Sequence, residues 1–384
     1  MDERISPDTV AGMIHHIRRA FIVSTLSVLI VAVLWSVLWS LAASQYKHVI
    51  DGWIDAGRAN GYRIAYGERK LFGFPRHIIL RFENVEWQND MNILFHADDI
   101  DIAATPWRWQ VFDAKFKNHV QITAPIEGEN YSLILGGRDG RAHVELDTQG
   151  FWREARISLS KAEFGRAPDY LIRTDEMHVT GRRPEEEPQG HKEPGLTLSG
   201  EAEGVTLPQS LASPFGAKMA QLGVDLRVMG AVPDFRRKDS VDAWNKESGV
   251  VEFDRLHVEW GPLLLTARGT MGFDDDLQPE GAFAISLTNQ KEVLKSLMDA
   301  GFIAQRQQAM LDSALDLFSK PSRFNHEGGD GINLPVAVQL GGLFLGPVRI
   351  FQYPPIEWPV PTSVTFAPNP PPPPSETPNI LPPH

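Results

Sequence analysis

The chain has 384 residues, with 37 basic and 49 acidic side chains, so its formal net charge is −12. This length suffices for one large folded unit or two smaller ones. Cysteine is absent from the sequence, which excludes disulfides, thiol nucleophiles and Cys-ligated metal sites. The acidic balance argues against nucleic acid as a partner, because phosphate contacts require a basic surface.

The strongest signal is an apolar run near the N-terminus. Residues 20–43 contain no Asp, Glu, Lys, Arg, Pro or Gly, and such a helix would be about 36 Å long, enough to cross a hydrocarbon core of about 30 Å. We therefore predict a transmembrane helix there. Arg18 and Arg19 precede it, so the positive-inside rule predicts a cytoplasmic segment 1–19 and an exported remainder. A cleaved signal peptide is the alternative, because Ser40-Leu41-Ala42 resembles a small-residue cleavage site.

A short amphipathic stretch follows the apolar run. Residues 44–61 are predicted to form a stalk helix that continues or restarts the membrane helix. Val49, Ile50, Trp53 and Ile54 recur at helical spacing, and Asn60-Gly61 supplies a C-terminal stop.

From Tyr62 onward the apolar residues alternate with polar ones. Ile78, Leu80 and Phe82 share one face, and a change of face near Asn84 predicts a β-bulge. Similar short segments recur between turn residues, most clearly over 251–273 around Gly261-Pro262. This pattern predicts a mainly β (α+β) exported domain over 62–353. We expect about a dozen strands in a long curled antiparallel sheet, or in an open barrel or sandwich.

The remaining segments are predicted to be helices, loops and a tail. A helix pair over 289–320 is expected to pack on the sheet; Asn289 and Glu292 would form a capping box at its start. A final hairpin would join residues 334–340 to residues 343–350. Residues 182–194 are predicted to be a loop and residues 235–247 a polar insertion. The proline-rich tail 354–384 is predicted to be a disordered polyproline segment.

Catalytic signatures are missing from the sequence. No zinc-protease, nucleophile-elbow, P-loop or dinucleotide-binding motif occurs. We therefore expect a non-enzymatic protein without cofactor or metal; a hydrolase with dispersed residues is the least favoured hypothesis. The acidic groups at Asp98-Asp99, Asp101 and 274–276 could bind a cation, but solvated surface is the more ordinary interpretation.

Several short motifs resemble a Gram-negative envelope family, domain of unknown function 2125. They are Gly73-Phe74-Pro75, His96–Ile100, Pro106-Trp107, Trp260–Leu263 and Leu345-Gly346-Pro347. More distantly, the arrangement is similar to AsmA-like and TamB-like proteins, which are anchored in the inner membrane and built from curled β-sheets with an apolar groove. The resemblance implies a lipid-related role in the cell envelope and supplies no catalytic residues.

The apolar strand faces are the remaining candidate site. If they line an open groove, its walls would include Phe82, Leu265, Phe283 and Ile285. The chain would then be an inner-membrane-anchored periplasmic protein that binds or conveys membrane lipid in envelope biogenesis. If the faces instead close into a filled core, the chain would be an envelope scaffold, with the proline-rich tail engaging partner proteins.

Overall fold

The structure is a computed structural model. It describes residues 7–89, 92–125, 132–167, 170–208, 213–235, 237–301, 332–345, 348–356 and 358. The described part contains one long N-terminal helix, two short helices and sixteen strands, so the chain is mainly β as predicted.

The helices and strands follow one another in a simple order. The helices are α1 (Pro7–Ala59), α2 (Lys238–Lys246) and α3 (Gln290–Asp299). The strands are β1 (Arg63–Ala65), β2 (Arg69–Phe72), β3 (Ile78–Gln88), β4 (Leu94–Thr105), β5 (Arg108–Pro125), β6 (Ser132–Leu146), β7 (Trp152–Ala167), β8 (Tyr170–Arg182), β9 (Pro194–Thr206), β10 (Lys218–Met229), β11 (Val251–Trp260), β12 (Leu263–Phe273), β13 (Pro279–Thr288), β14 (Ile332–Gln339), β15 (Gly342–Leu345) and β16 (Val348–Gln352).

All the described strands belong to one open antiparallel sheet. From β3 to β16 each strand pairs with the next one along the chain, and both β1 and β2 pair with β3. No second sheet is present in the described ranges, so the sandwich alternative does not apply there. The hairpin predicted over 251–273 is formed by β11 and β12. The face change near Asn84 also occurs, because Asn84 adopts a φ of 50° and the buried face passes from Phe82 to Val85.

Helix α1 joins the apolar run and the predicted stalk without interruption. Hydroxyl groups inside the apolar run donate to carbonyls one turn earlier, as from Thr25 to Phe21 and from Ser36 to Ala32, both at 2.8 Å. This bonding satisfies them without water. The segment Phe21–Ala59 contains a window of mean hydropathy 2.5 and is long and apolar enough to cross a membrane.

The C-terminal half of α1 packs on the sheet. Ala43, Tyr46 and Ile50 are buried against Leu80 and Phe82 of β3 and their neighbours. An ion pair between Asp51 of the helix and Arg69 of β2 adds a polar contact. Val49, which was predicted to share the buried face, is instead 39% exposed.

Of two local predictions in the C-terminal part, the capping box is wrong and the final hairpin is present with different bounds. Asn289 adopts a left-handed backbone with φ 59°, so its side chain does not cap α3 and instead donates to the carbonyl of Pro262 at 3.1 Å. The final hairpin is formed by β14 and β15, but it turns at Leu340-Gly341. Its second strand is shorter than predicted, because residues 348–352 form a separate strand, β16, that pairs antiparallel with β15. The second helix of the predicted pair lies outside the described residues.

Candidate functional site

The two faces of the sheet differ sharply in chemistry. In an antiparallel pair, residues directly opposite each other point to the same face. The strand register therefore shows which side chains form continuous rows across the sheet.

One row of apolar residues crosses twelve consecutive strands without a polar side chain. We call it the central row, and it consists of Leu80, Ile102, Ala114, Ala142, Ile157, Val179, Gly200, Val224, Leu256, Ala267, Ile285 and Leu334. Eleven strand spacings of about 4.8 Å make this row about 50 Å long.

Further apolar rows flank the central row on the same side, which we call the apolar face. One runs from β5 to β15 through Phe112, Val144, Ala155, Gly181, Leu198, Leu226, Phe253, Gly269, Phe283, Val336 and Leu345. Another contains Leu159, Met177, Ala202, Leu222, Val258, Leu265, Leu287 and Ile332. The apolar face is therefore several side chains wide.

The opposite face is polar along the same strands. The row next to the central row consists of Arg81, Asp101, Lys115, Arg141, Ser158, His178, Glu201, Gly223, His257, Thr266, Ser286 and Asn333. Only Gly223 in this row lacks a polar side chain, so the polar face is suited to water.

The apolar face is buried near both ends of the sheet and has exposed side chains between them. At the β14 end, Leu334 of the central row is 8% exposed. Helix α1 lies over β3 and buries Leu80 to 1% exposure. Farther along, Ile122, Leu135, Ile157 and Val179 are 39%, 42%, 44% and 37% exposed. Val120 and Leu159 of the same strands are buried in a second apolar cluster. The exposed side chains beside that cluster are a candidate site for an apolar partner.

The four residues predicted to line a groove all lie on the apolar face, but in different surroundings. Phe82 is 4% exposed beneath α1, where Tyr66 packs edge-on against its ring, so helix packing occupies it. Leu265 of β12 and Phe283 and Ile285 of β13 are only partly buried. These three remain candidates for ligand contact, and they lie far along the sheet from Phe82.

Four exposed apolar side chains on β5 to β8 were not predicted as site residues. They are Ile122, Leu135, Ile157 and Val179. Alternation of apolar residues is visible in each of these strands, but the sequence does not indicate which strands a helix covers.

Three of the acidic residues considered as cation ligands have other partners. Asp101 accepts hydrogen bonds from Arg81 at 2.5 and 2.7 Å and forms an ion pair with Lys117. The Arg81 hydrogen bonds lower the pKa of Asp101, an effect that burial partly opposes. Asp98 accepts from the backbone N–H of His119, and Asp274 accepts from two backbone N–H groups of its own turn. Across the described ranges, no three His, Asp or Glu side chains are grouped to hold a metal ion.

Comparison with known proteins identifies the family but no function. No curated protein and no solved structure matches the chain. A family model described as an uncharacterized protein conserved in bacteria matches residues 39–354, which include the packed half of α1 and all sixteen described strands. The chain therefore belongs to the DUF2125 family.

Proposed function

We propose that the chain is a membrane-anchored envelope protein whose apolar face binds or conveys the acyl chains of membrane lipid. The observation that carries the proposal is the central row, which begins beneath α1 and continues across twelve strands without a polar side chain. Binding of this kind needs no catalytic group, cofactor or metal, since burial contributes about 0.8 kcal/mol per CH₂.

The dimensions of the apolar face suit this ligand. One leaflet contributes about 15 Å of a hydrocarbon core of about 30 Å, and the central row is about 50 Å long. Several acyl chains therefore fit end to end along it. The polar head groups would remain at the sheet margins or in water, because the apolar face offers them no polar partner.

The contacts of α1 support an uncleaved anchor. Trp35 and Trp39 lie in the apolar run and donate to the carbonyls of Pro75 and His77, each at 3.1 Å. Cleavage after Ala42 would remove both contacts. With Arg18 and Arg19 before the apolar run, the positive-inside rule favours an inner-membrane protein with its sheet in the periplasm.

Lipid that copurifies with the full chain tests the proposal. We expect the chain to retain phospholipid when it is extracted in a mild detergent. The substitutions Leu265→Asp and Ile285→Asp should each reduce the amount of bound phospholipid at least twofold, because each places a carboxylate on the apolar face. Thr266→Asp and Ser286→Asp are the matched controls, since these neighbours lie on the polar face.

Phospholipid per chain is the measurement, by native mass spectrometry or phosphate analysis, and thermal unfolding verifies that each variant is folded. Lipid around α1 is common to all variants and sets the baseline. Equal phospholipid in the apolar-face and polar-face variants would contradict binding on the apolar face.

The scaffold function remains an alternative prediction. The first residues of the proline-rich tail are held at the β12–β13 turn, where Trp358 donates to the carbonyl of Leu277 at 3.1 Å and Ile356 to the side chain of Gln278 at 2.7 Å. A partner protein captured by cross-linking and lost on deletion of residues 359–384 would favour this alternative.

A further inference from the structure

Two turns of the sheet lie against the apolar part of α1. The β2–β3 turn provides the carbonyls of Pro75 and His77 that accept from Trp35 and Trp39. The β4–β5 turn places the ring of Trp107 6.0 Å from that of Trp35. Both turns therefore meet the helix within its apolar run rather than beyond it.

The position of these contacts along α1 indicates how deep in a membrane the two turns would lie. Trp39 and Trp35 precede Ala43, the last residue of the apolar run, by four and eight positions, which correspond to about 6 and 12 Å along the helix. If α1 spans the bilayer, the two turns reach the level at which head groups meet hydrocarbon. The Trp hydrogen bonds then satisfy turn carbonyls where water is scarce.

The exposed side chains of the two turns have the chemistry of a membrane interface. Phe74 is 54% exposed and Trp107 is 58% exposed. Arg76 and Arg108 stand beside them, are also exposed, and show no ion pair with a described residue. Aromatic rings favour the interface, and arginine side chains extend toward lipid phosphate from it.

We propose that the β2–β3 and β4–β5 turns insert into the outer surface of the same membrane that α1 spans. Phe74 and Trp107 would enter the interface, and Arg76 and Arg108 would contact anionic phospholipid head groups. The inference rests on the proposed membrane span of α1. Leu80, the first residue of the central row, lies five residues after Pro75, and it packs in one cluster with Ala43, the last residue of the apolar run, so this insertion would hold the α1-covered end of the apolar face at the membrane surface.

The absence of native cysteine allows a direct depth measurement. Phe74→Cys and Trp107→Cys would each carry a nitroxide in the full chain, reconstituted in vesicles of phosphatidylcholine and phosphatidylglycerol. Val31→Cys is the reference for lipid, because Val31 lies in the middle of the apolar run. Glu86→Cys is the reference for water, because it lies farther along β3 on an exposed position.

For each nitroxide, the measured quantity is the ratio of its accessibility to oxygen over its accessibility to a soluble nickel chelate. We expect this ratio to be at least threefold higher at positions 74 and 107 than at position 86. The inference fails if positions 74 and 107 match position 86 while position 31 is protected from nickel. Exposure of position 31 to nickel would instead overturn the membrane span of α1, so the two failures are distinguishable.

Discussion

Gly269 allows two aromatic rings to meet across a strand. It lies between Phe253 and Phe283 in one row of the apolar face, and their ring centroids are 5.4 Å apart. A Cβ at this position would lie 2.3 Å from the carbonyl oxygen of Ala282 and 2.6 Å from the ring of Phe283. The backbone of β13 cannot yield as a flexible side chain can, so a larger residue must displace the strand.

We therefore expect Gly269→Ala to lower the free energy of unfolding by about 1–3 kcal/mol, the usual cost of overpacking. Gly223→Ala is the control, because its Cβ would first meet the flexible Arg255 side chain at 3.5 Å. Denaturant unfolding in detergent measures both variants. An equal loss of stability in the two would show that contact with β13 is not the cause.

Asp101 should make stability depend on pH. Its hydrogen bonds with Arg81 lower the pKa of Asp101 in the folded chain. These bonds therefore stabilise the fold at pH values above the ordinary Asp pKa, and this stabilisation is lost as the pH falls through the lowered pKa. We expect Asp101→Asn to cost about 2 kcal/mol at pH 7, with a difference from wild type that shrinks below about pH 4.

Thermal unfolding at several pH values measures this difference. Asp99→Asn is the control, because Asp99 lies on the same strand face without an ion pair among the described residues. A cost for Asp101→Asn that stayed constant down to pH 2 would rule out the charge as its source.

At the scale of elements, one face of α1 holds the helix on β3. Ile50 is 4% exposed within the cluster that contains Leu80, whereas its neighbour Val49 is 39% exposed. We expect Ile50→Ala to weaken the attachment of the helix by about 2–5 kcal/mol, the usual cost of a core truncation. Val49→Ala should have little effect.

Hydrogen exchange of the full chain in detergent measures this attachment. Exchange should accelerate in β1 to β3 for Ile50→Ala and remain unchanged in β10 to β13, which are distant from β3 in the strand order. Equal acceleration for Val49→Ala would show that burial of Ile50 does not hold the helix.

Local patterns in the sequence were sufficient to predict most strands and the long helix. Alternation located β11 and β12, and the face change at Asn84 followed from the shift between Phe82 and Val85. The cap at Asn289 was not predictable, because its left-handed backbone and its bond to Pro262 depend on the neighbouring β11–β12 turn. Likewise, burial of Phe82 by α1 is a long-range contact that alternation within β3 cannot indicate.

In the whole molecule, the register in which neighbouring strands pair determines which side chains form the candidate site. Each strand alone shows only that one of its faces is apolar. The antiparallel order from β3 to β14 aligns those faces into the central row. A single slip by one residue would move polar side chains into that row. The apolar face is therefore a property of the assembled sheet, and the sequence could predict its side chains but not its continuity.

Site-specific photo-crosslinking in cells tests whether the apolar face binds lipid. A benzophenone amino acid would replace Ile157 or Val179 on the apolar face, or their neighbours Ser158 or His178 on the polar face, in the full chain. We predict phospholipid adducts at Ile157 and Val179 and at least fivefold fewer at Ser158 and His178. Equal adducts on the two faces, or none at Ile157 and Val179, would contradict a lipid-binding apolar face.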